Sequence, residues 1–344
     1  MQTPIAVDTE WHEGQDSDPY DSAFESGDEA ATPSLASSIY SYTYENGRRY
    51  HAYRSGKYAL PNDETEQDRL DMAHHLSLLH MRGALHLAPV IKPKNILDVG
   101  TGTGIWAIDC AEMYPDATVV GTDLSPIQPG WLPQNLQILV EDAEEDWIFP
   151  KNHFDLIHIR GLAGGIQDWP KLLKQAFNHL KPGGYIELYE YAFAVKSDDG
   201  TYTPETAIYR YYQLVNKAAE RSGRSLNDAH KLPELLSGAG FVDTVQNCYK
   251  TPIGLWPLDK RQKELGKWMW YVAMSGFEAY ALALLTRFLG MQLDEVVALV
   301  DATKREISER RIHVWNPQYV MYAQKPLKKV ASAALPTPPT SAEA

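Results

Sequence analysis

The sequence predicts a doubly wound α/β domain built on a mostly parallel sheet. Three observations predict this fold. From Asn95 onward, short apolar runs alternate with longer segments of helical periodicity, and the runs carry few charges, as strands buried on both faces do. A glycine-rich turn also joins the first apolar run directly to a helix. Strands and helices that alternate at this spacing form a parallel sheet with helices on both of its faces.

The elements of this sheet follow one another along the chain. Pro317 fits poorly inside a central strand because it has no N–H to donate, so the residues just before it are assigned to a loop. Helices are predicted over 105–114 and 169–180. The predicted strands are 95–99, 118–123, 136–140, 154–159, 185–191, 242–249 and 318–324.

Helical segments flank the predicted sheet. A helix over 63–87 precedes the first strand, with Asp63 or Asn62 as its N-cap. A block over 204–309 holds several more helices, and the strand near Val242 interrupts it.

The segment 268–286 is nearly uncharged and long enough to be considered as a membrane span. Gly276 and Glu278 lie in its middle, and neither a second span nor a basic flank accompanies it. We therefore expect a buried helix that walls a core or an apolar pocket, and no membrane partner.

The negative charge of the chain is concentrated near its start. The net charge of the 344 residues is −13, and residues 1–47 hold ten carboxylates and no Lys or Arg. The remainder is nearly neutral, which argues against nucleic acid as a partner, because such a binder needs a basic face. Cys110 and Cys248 are too few for a disulfide scaffold, and the first residues lack the pattern of a secretory signal. We expect a cytoplasmic protein, with the nucleus as the alternative.

Composition divides the chain into four parts. Segments of small and polar residues bury too little apolar surface to offset the entropy of ordering, so the two ends are predicted to be disordered. The parts are an acidic disordered tail at 1–38, an N-terminal helical lid at 39–90, a domain at 91–329 with helical insertions at about 204–239 and 258–309, and a disordered tail at 330–344.

The turn at residues 98–104, with the sequence DVGTGTG, is the main candidate for ligand binding. Its glycines let backbone N–H groups approach a ligand closely, and the N-terminus of the helix that follows favours negative charge. Residues 102–107 also fit the loose G-x-G-x-x-A pattern of dinucleotide sites, so the turn alone leaves the ligand open.

Three carboxylates decide which ligand fits best. Asp98 stands two residues before the first glycine, where it would repel a phosphate and attract an ammonium group. Asp123 ends the second strand, where a carboxylate can accept hydrogen bonds from both hydroxyls of a ribose. Asp142 follows the third strand, where it could hold an adenine amino group. A cationic nucleoside without phosphate fits these positions, and S-adenosylmethionine is that ligand.

Together with KPGG at 181–184, these residues resemble the class I S-adenosylmethionine-dependent methyltransferases. More narrowly, the chain resembles the fungal LaeA-like methyltransferases of secondary metabolism over about residues 40–326. The resemblance implies a seven-stranded Rossmann-like sheet whose last strand is antiparallel to the others. The narrower resemblance rests on YRSGKY at 53–58, PNDE at 61–64, DRLD at 68–71, GYIEL at 184–188, PIG at 252–254 and IH at 312–313.

The resemblance also implies a role for each candidate cofactor residue. The glycines would pack against the methionine and ribose, Asp98 would lie near the amino group, and Asp123 would bind the ribose. Asp142 would hold the adenine together with the next backbone amide. An aromatic ring could stack on the cofactor and an arginine could hold its carboxylate, although packing explains those two positions equally well. The predicted cofactor-binding residues are Tyr58, Asp98, Gly100, Gly102, Gly104, Asp123, Leu124, Asp142, Ala143 and Arg160.

Methyl transfer needs alignment of the acceptor and exclusion of water, and a hydroxyl or amine acceptor also benefits from a base. His313 is the first candidate, because the loop before the last strand would lie at the ligand-binding edge of the sheet. Glu190 is the second. His158 lies within a strand, where packing is the expected role, and packing is an equally strong alternative for His313. The histidines within 74–86 lack the i, i+3 or i+4 spacing of ligands on a helix, so no metal is predicted.

An apolar and aromatic pocket is expected for the acceptor. Aromatic residues cluster within 209–212 and 256–280, and although such residues more often form plain core, this block has no other evident role. We expect methylation, most directly of an oxygen, of a hydrophobic small molecule. The alternatives are a LaeA-like regulator in a partner complex, a protein methyltransferase, and a methyltransferase fold that performs another reaction. A protein partner or a homodimer stays open.

Overall fold

The computed structural model describes residues 3–9, 42–51, 53 and 58–327. A hairpin and a helix precede the main sheet: β1 (Thr43–Glu45), β2 (Arg48–Tyr50) and α1 (Glu64–His80). The chain then forms β3 (Asn95–Val99), α2 (Ile105–Met113), β4 (Thr118–Asp123), β5 (Leu136–Val140), β6 (Phe154–Arg160), α3 (Trp169–His179), β7 (Leu180–Tyr191), β8 (Lys196–Ser197), α4 (Ala207–Arg221), a short 3-10 helix (Asp228–Lys231), α5 (Leu232–Ala239), β9 (Val242–Pro252), α6 (Lys260–Leu289), α7 (Leu293–Ser308) and β10 (Val314–Gln324).

The main sheet has the strand order β5-β4-β3-β6-β7-β10, and β9 and the two-residue β8 also pair with β10. The pairs β3–β4, β4–β5, β3–β6 and β6–β7 are parallel, whereas β10 is antiparallel to β7, β8 and β9. This confirms the predicted doubly wound, mostly parallel sheet. With the short β8 set aside, seven strands remain and the last is antiparallel, as the resemblance implies. The strand order reverses between β3 and β6, where open α/β sheets bind their ligands.

Helix α1 begins as predicted but ends earlier than predicted. The Asp63 carboxylate accepts the Glu66 N–H at 3.1 Å and caps the helix. The helix ends at His80 rather than near residue 87, because Arg82 and Gly83 have positive φ angles of 58° and 86° that a right-handed helix excludes. The predicted lid therefore contains a hairpin and a shorter helix.

Strand β10 begins before Pro317, which corrects the prediction that this region is a loop. Trp315, Asn316 and Pro317 pair with β9, whereas pairing with β7 begins only at Gln318. The Pro317 carbonyl accepts the Ala192 N–H at 3.3 Å, just beyond the end of β7. In an antiparallel strand the N–H and C=O of one residue point to the same side, so the missing N–H of proline faces Ala192, whose carbonyl accepts the Asn316 side-chain amide at 2.6 Å instead.

Residues 3–9 are ordered, which corrects the prediction of disorder for that part of the tail at 1–38. Val7 forms an antiparallel bridge with Pro257, and the Asp8 N–H donates to the Trp256 carbonyl at 2.8 Å. The Ile5 N–H donates to an Asp198 carboxylate oxygen at 3.0 Å. The rest of that predicted tail, and the predicted tail at 330–344, lie outside the described residues.

Within the described residues, α6 is the one helix long and apolar enough to cross a membrane by length and composition. It packs against α1, α4, α7 and β9, and its residues Phe277 and Leu285 are buried in the largest apolar cluster of the protein. The helix is therefore the core of the helical insertions, as the central Gly276 and Glu278 indicated.

Candidate active site

The turn between β3 and α2 depends on glycine and on a neighbouring carboxylate. Gly100 and Gly102 have φ angles of 70° and 59°, which L side chains rarely adopt. A Cβ atom on Gly100 would lie 2.4 Å from a Leu162 methyl group. Asp123, at the end of β4, accepts the Gly102 N–H at 2.8 Å and the Ser125 N–H at 2.9 Å. The glycine turn and the predicted ribose carboxylate therefore form one structural unit.

A cavity of about 100 Å³ lies at this turn and at the carboxyl ends of β3, β4 and β5. We call it the acidic cavity, because Glu66 and Glu141 line it beside two predicted aspartates, and no Lys or Arg of the described residues does. Such walls attract a cation and repel phosphate. Seven of the ten predicted cofactor residues line it: Tyr58, Gly100, Gly102, Asp123, Leu124, Asp142 and Ala143.

The other three predicted cofactor residues lie elsewhere. Asp98 is buried beneath the turn, where its carboxylate accepts the Thr101 hydroxyl at 2.6 Å and contacts His158 Nδ1 at 2.7 Å. Gly104 is the N-cap of α2. Arg160 lines a second cavity. Burial lowers the pKa of His158 to about 4, so its ring is neutral and supports Asp98 inside the sheet, in keeping with the packing role predicted for it.

The second cavity also has a volume of about 100 Å³ and lies where β6 and β7 end. We call it the aromatic cavity. Among the described residues, no Asp, Glu, His or Lys lines it. The tryptophans within 256–280 do not line it either, so the predicted aromatic pocket exists with only part of the predicted set of rings, joined by three rings from 189–193. Those rings belong to Tyr189, Tyr191, Phe193, Tyr211, Tyr212, Phe277 and Tyr280.

A buried ion pair on α1 separates the two cavities. Glu66 lines the acidic cavity and Arg69 lines the aromatic cavity. Arg69 donates through Nε and Nη2 to both Glu66 carboxylate oxygens, at 2.8 and 2.6 Å. Burial alone would lower the pKa of Arg69, but Glu66 raises it well above its usual range. Glu66 was not among the predicted site residues, although its i, i+3 spacing to Arg69 was a possible signal.

Neither predicted base lines either cavity. His313 Nδ1 lies 2.5 Å from an Asp199 carboxylate oxygen and Nε2 lies 3.1 Å from the Arg310 carbonyl, so both ring nitrogens are engaged. His313 directly precedes β10, which begins at Val314, and it lines neither cavity. This position contradicts its predicted role as the base. We assign it a structural role instead.

Glu190 positions a loop rather than facing an acceptor. Its two carboxylate oxygens accept the N–H groups of Leu162 and Ala163, at 2.8 and 3.1 Å. Leu162 in turn lines the acidic cavity, and its side chain packs against Gly100. The prediction placed Glu190 correctly at the end of a parallel strand, but its side chain is fully buried and is not a general base.

Two buried carboxyl groups make the stability of the fold depend on pH. Burial raises the pKa of Glu187 to about 7 and that of Glu190 to about 8, from 4.5. The folded state therefore keeps protons that the unfolded chain has already released. The stability that these two protonated groups contribute is lost as pH rises through their folded-state pKa values. We expect the free energy of unfolding to fall by about 1 kcal/mol per pH unit between about pH 7 and 9. Urea denaturation measures the slope, which should be shallower in E187Q; a rising stability would contradict the assignment.

Known proteins that are similar to this chain include methyltransferases. A family model described as a methyltransferase domain matches residues 72–246. The chain is 42% identical over 300 residues to the methyltransferase pytC of Aspergillus terreus, covering 87% of this chain and 92% of that protein. It is 39% identical over 290 residues to the secondary metabolism regulator LAE1 of Cochliobolus heterostrophus, covering 82% and 94%. It is 35% identical over 289 residues to the protein-methionine methyltransferase laeA of Emericella nidulans, covering 83% and 76%.

The fold, the acidic cavity at the strand switch and these matches define one class of enzyme. The chain belongs to the S-adenosylmethionine-dependent methyltransferases, in the LaeA-like group of fungi.

Proposed function

We propose that this enzyme transfers a methyl group to an oxygen of a hydrophobic small molecule in a secondary-metabolite pathway. The observation that carries the proposal is the aromatic cavity beside the acidic one, since Arg69 of the first is hydrogen-bonded to Glu66 of the second. A lysine or arginine acceptor would need carboxylates, which the aromatic cavity lacks among the described residues. The relative named as a secondary metabolism regulator supports the assignment to a secondary-metabolite pathway.

The residues of the acidic cavity fit S-adenosylmethionine. When bound, this cofactor supplies an electrophilic methyl group on a positively charged sulfur. We assign the ribose hydroxyls to Asp123 and the adenine to Asp142 and the Ala143 backbone. Gly100 and Gly102 allow close approach of the backbone, since side chains there would occupy ligand space or strain the turn.

The aromatic cavity performs the rest of the catalysis by positioning and by excluding water. Its walls hold an apolar acceptor in one orientation, and alignment of the reacting atoms is the largest contribution that such a site makes. Tyr191 and Tyr280 are hydrogen-bonded through their hydroxyl groups, and Tyr211 donates to the Phe277 carbonyl at 2.9 Å. These bonds fix the rings, because a buried tyrosine that has a partner for its hydroxyl keeps a single orientation.

Gly276 offers a direct way to fill the aromatic cavity. It lines the cavity from α6, and a Cβ atom there would meet the Arg69 side chain at 3.6 Å, an ordinary contact. Gly276→Leu should therefore place its larger side chain in acceptor space and reduce turnover at least about tenfold, while alanine at the same position should retain most activity. Turnover is measured by mass spectrometry as a gain of one methylene on hydrophobic alcohols and acids.

The cofactor affinity provides the control for this blocking experiment. Both Gly276 variants should bind S-adenosylhomocysteine as the wild type does, because Gly276 does not line the acidic cavity. If the leucine variant turns over small molecules at the wild-type rate, the aromatic cavity is not the acceptor site.

Methylation of a protein is the second candidate function, favoured by the relative named as a protein-methionine methyltransferase and by the regulators. A thioether acceptor would also suit a cavity without carboxylates. Labelled cofactor separates the two functions, since label recovered in small molecules supports the first proposal and label recovered only in protein supports the second.

A further inference from the structure

We propose that Arg160 binds an anionic group of the acceptor, and that the acceptor is therefore an apolar carboxylic acid in its ionised form. This inference rests on the proposed function, because it specifies the molecule that the aromatic cavity takes. It also moves Arg160 from the cofactor, where the sequence analysis placed it, to the acceptor.

Among the described residues, Arg160 has no carboxylate in direct contact, although Asp98, Asp71 and Asp109 act on its charge from a greater distance. Arg160 ends β6, lines the aromatic cavity and does not line the acidic one. No carboxylate of the described residues forms an ion pair with it within 4.0 Å. A guanidinium largely enclosed by protein and without a carboxylate in direct contact is costly, and an anionic ligand reduces that cost. Arg69, the other cation of this cavity, already has Glu66 as its partner.

Hydrogen bonds hold one side of the Arg160 guanidinium and leave the other side open. Its Nη1 contacts His74 Nδ1 at 2.7 Å and the Ser77 hydroxyl at 3.2 Å. Because arginine has no acceptor, His74 Nδ1 must be the acceptor, so His74 carries its proton on Nε2 and donates it to Asp109 at 2.9 Å. The hydrogen bonds from Asp109 to His74 and from His74 to Arg160 fix one side of the guanidinium. Nε and Nη2 of Arg160 make no hydrogen bond within the described residues and are left for a ligand.

The lining of the aromatic cavity offers no general base among the described residues. None of the described lining residues is an Asp, Glu, His or Lys that could accept a proton from a hydroxyl or an amine. Burial raises the pKa values of the lining tyrosines, such as Tyr189 and Tyr212, so they stay protonated. An acceptor that arrives already ionised needs no base.

The resulting reaction balances without a further reactant. A carboxylate oxygen of the acceptor forms a bond to the methyl carbon as the bond from that carbon to sulfur breaks. The electron pair of the broken bond stays on sulfur, which becomes a neutral thioether, and the product is a methyl ester. No proton is released or consumed.

The test compares an acid with a neutral molecule of the same shape. Wild-type protein saturated with S-adenosylhomocysteine is titrated calorimetrically with naphthoate and with naphthamide. We expect naphthoate to bind at least about tenfold more tightly, because charge-assisted hydrogen bonds to a buried guanidinium distinguish the two. Equal affinities, including no binding of either probe, would overturn the proposal.

Variants of Arg160 then assign the preference to this side chain. Arg160→Gln should remove the preference for naphthoate, and R160K should retain part of it, because lysine keeps the charge but not the fork of donors. Both variants should bind S-adenosylhomocysteine within about twofold of the wild type. If R160Q loses that affinity instead, Arg160 belongs to the cofactor site and the proposal fails. Failure of the wild type to bind S-adenosylhomocysteine at all would contradict the proposed function itself.

Discussion

Asp123→Ala should weaken the binding of S-adenosylmethionine by about 1–3 kcal/mol, which corresponds to roughly a five- to 150-fold loss of affinity. The substitution removes the proposed ribose acceptor. It also leaves the N–H groups of Gly102 and Ser125 without the carboxylate that accepts them. Burial raises the pKa of Asp123 to about 6, so the wild-type carboxylate is ionised at pH 8, where the titration is best performed.

Asp155 provides a matched control for this experiment. It lies near the start of β6 and accepts the N–H groups of Lys94 and Asn95 at 2.8 and 2.9 Å, at the opposite end of the sheet. Asp155→Ala therefore also removes a carboxylate that holds two backbone N–H groups, and it should lower the melting temperature without changing cofactor affinity. Equal losses of affinity in D123A and D155A would show that the effect is general destabilisation, and wild-type affinity in D123A would contradict the ribose assignment.

Glu190→Gln should have the second large effect, because it disturbs the loop between the two cavities. Each carboxylate oxygen of Glu190 accepts a different N–H, from Leu162 and from Ala163, whereas a glutamine has only one oxygen to offer. One buried N–H is left unpaired, at a cost of about 1–3 kcal/mol. We expect a lower melting temperature and a several-fold weaker affinity for S-adenosylhomocysteine, which thermal unfolding and calorimetry measure.

Glu187 is the matched control, because it lies in the same strand, three residues before Glu190, and does not contact the loop at Leu162 and Ala163. Its Oε2 accepts both the Leu87 and the Ala88 N–H, at 2.7 and 2.6 Å, and Oε1 has no hydrogen-bond partner. A glutamine at position 187 can keep both bonds through its single oxygen, so E187Q should bind the cofactor as the wild type does. If E190Q also does so, Glu190 does not position the cavity loop.

The sequence allowed prediction of the parts of the fold whose residues carry a local signal. The bounds of β3, β4 and β5 agree exactly with the predicted strands, because each is a short apolar run with few charges, although only β3 is buried along nearly all of its length. The glycine turn and Asp123 were predicted from spacing and strand position. The end of α1 was missed, although Gly83 with its positive φ angle is a common local signal for the end of a helix.

The acceptor side of the site could not be predicted in the same way. Arg160 and Arg69 reach one cavity from β6 and α1, and no sequence spacing relates a strand end to a helix that precedes it by some 90 residues. His313 was misplaced for a similar reason. The pairing of β9 and β10 carries the strand through Pro317, and the contact of His313 with Asp199 arises only from tertiary structure.

The central claim is that the acidic cavity binds a cationic nucleoside without phosphate. Calorimetric titration of the purified protein with S-adenosylmethionine, S-adenosylhomocysteine and NAD tests it most directly. We predict micromolar binding of the first two ligands and none of NAD, whose phosphates would meet Glu66, Asp123, Glu141 and Asp142. Binding of NAD, or no binding of either sulfur-containing ligand, would contradict the assignment of this cavity.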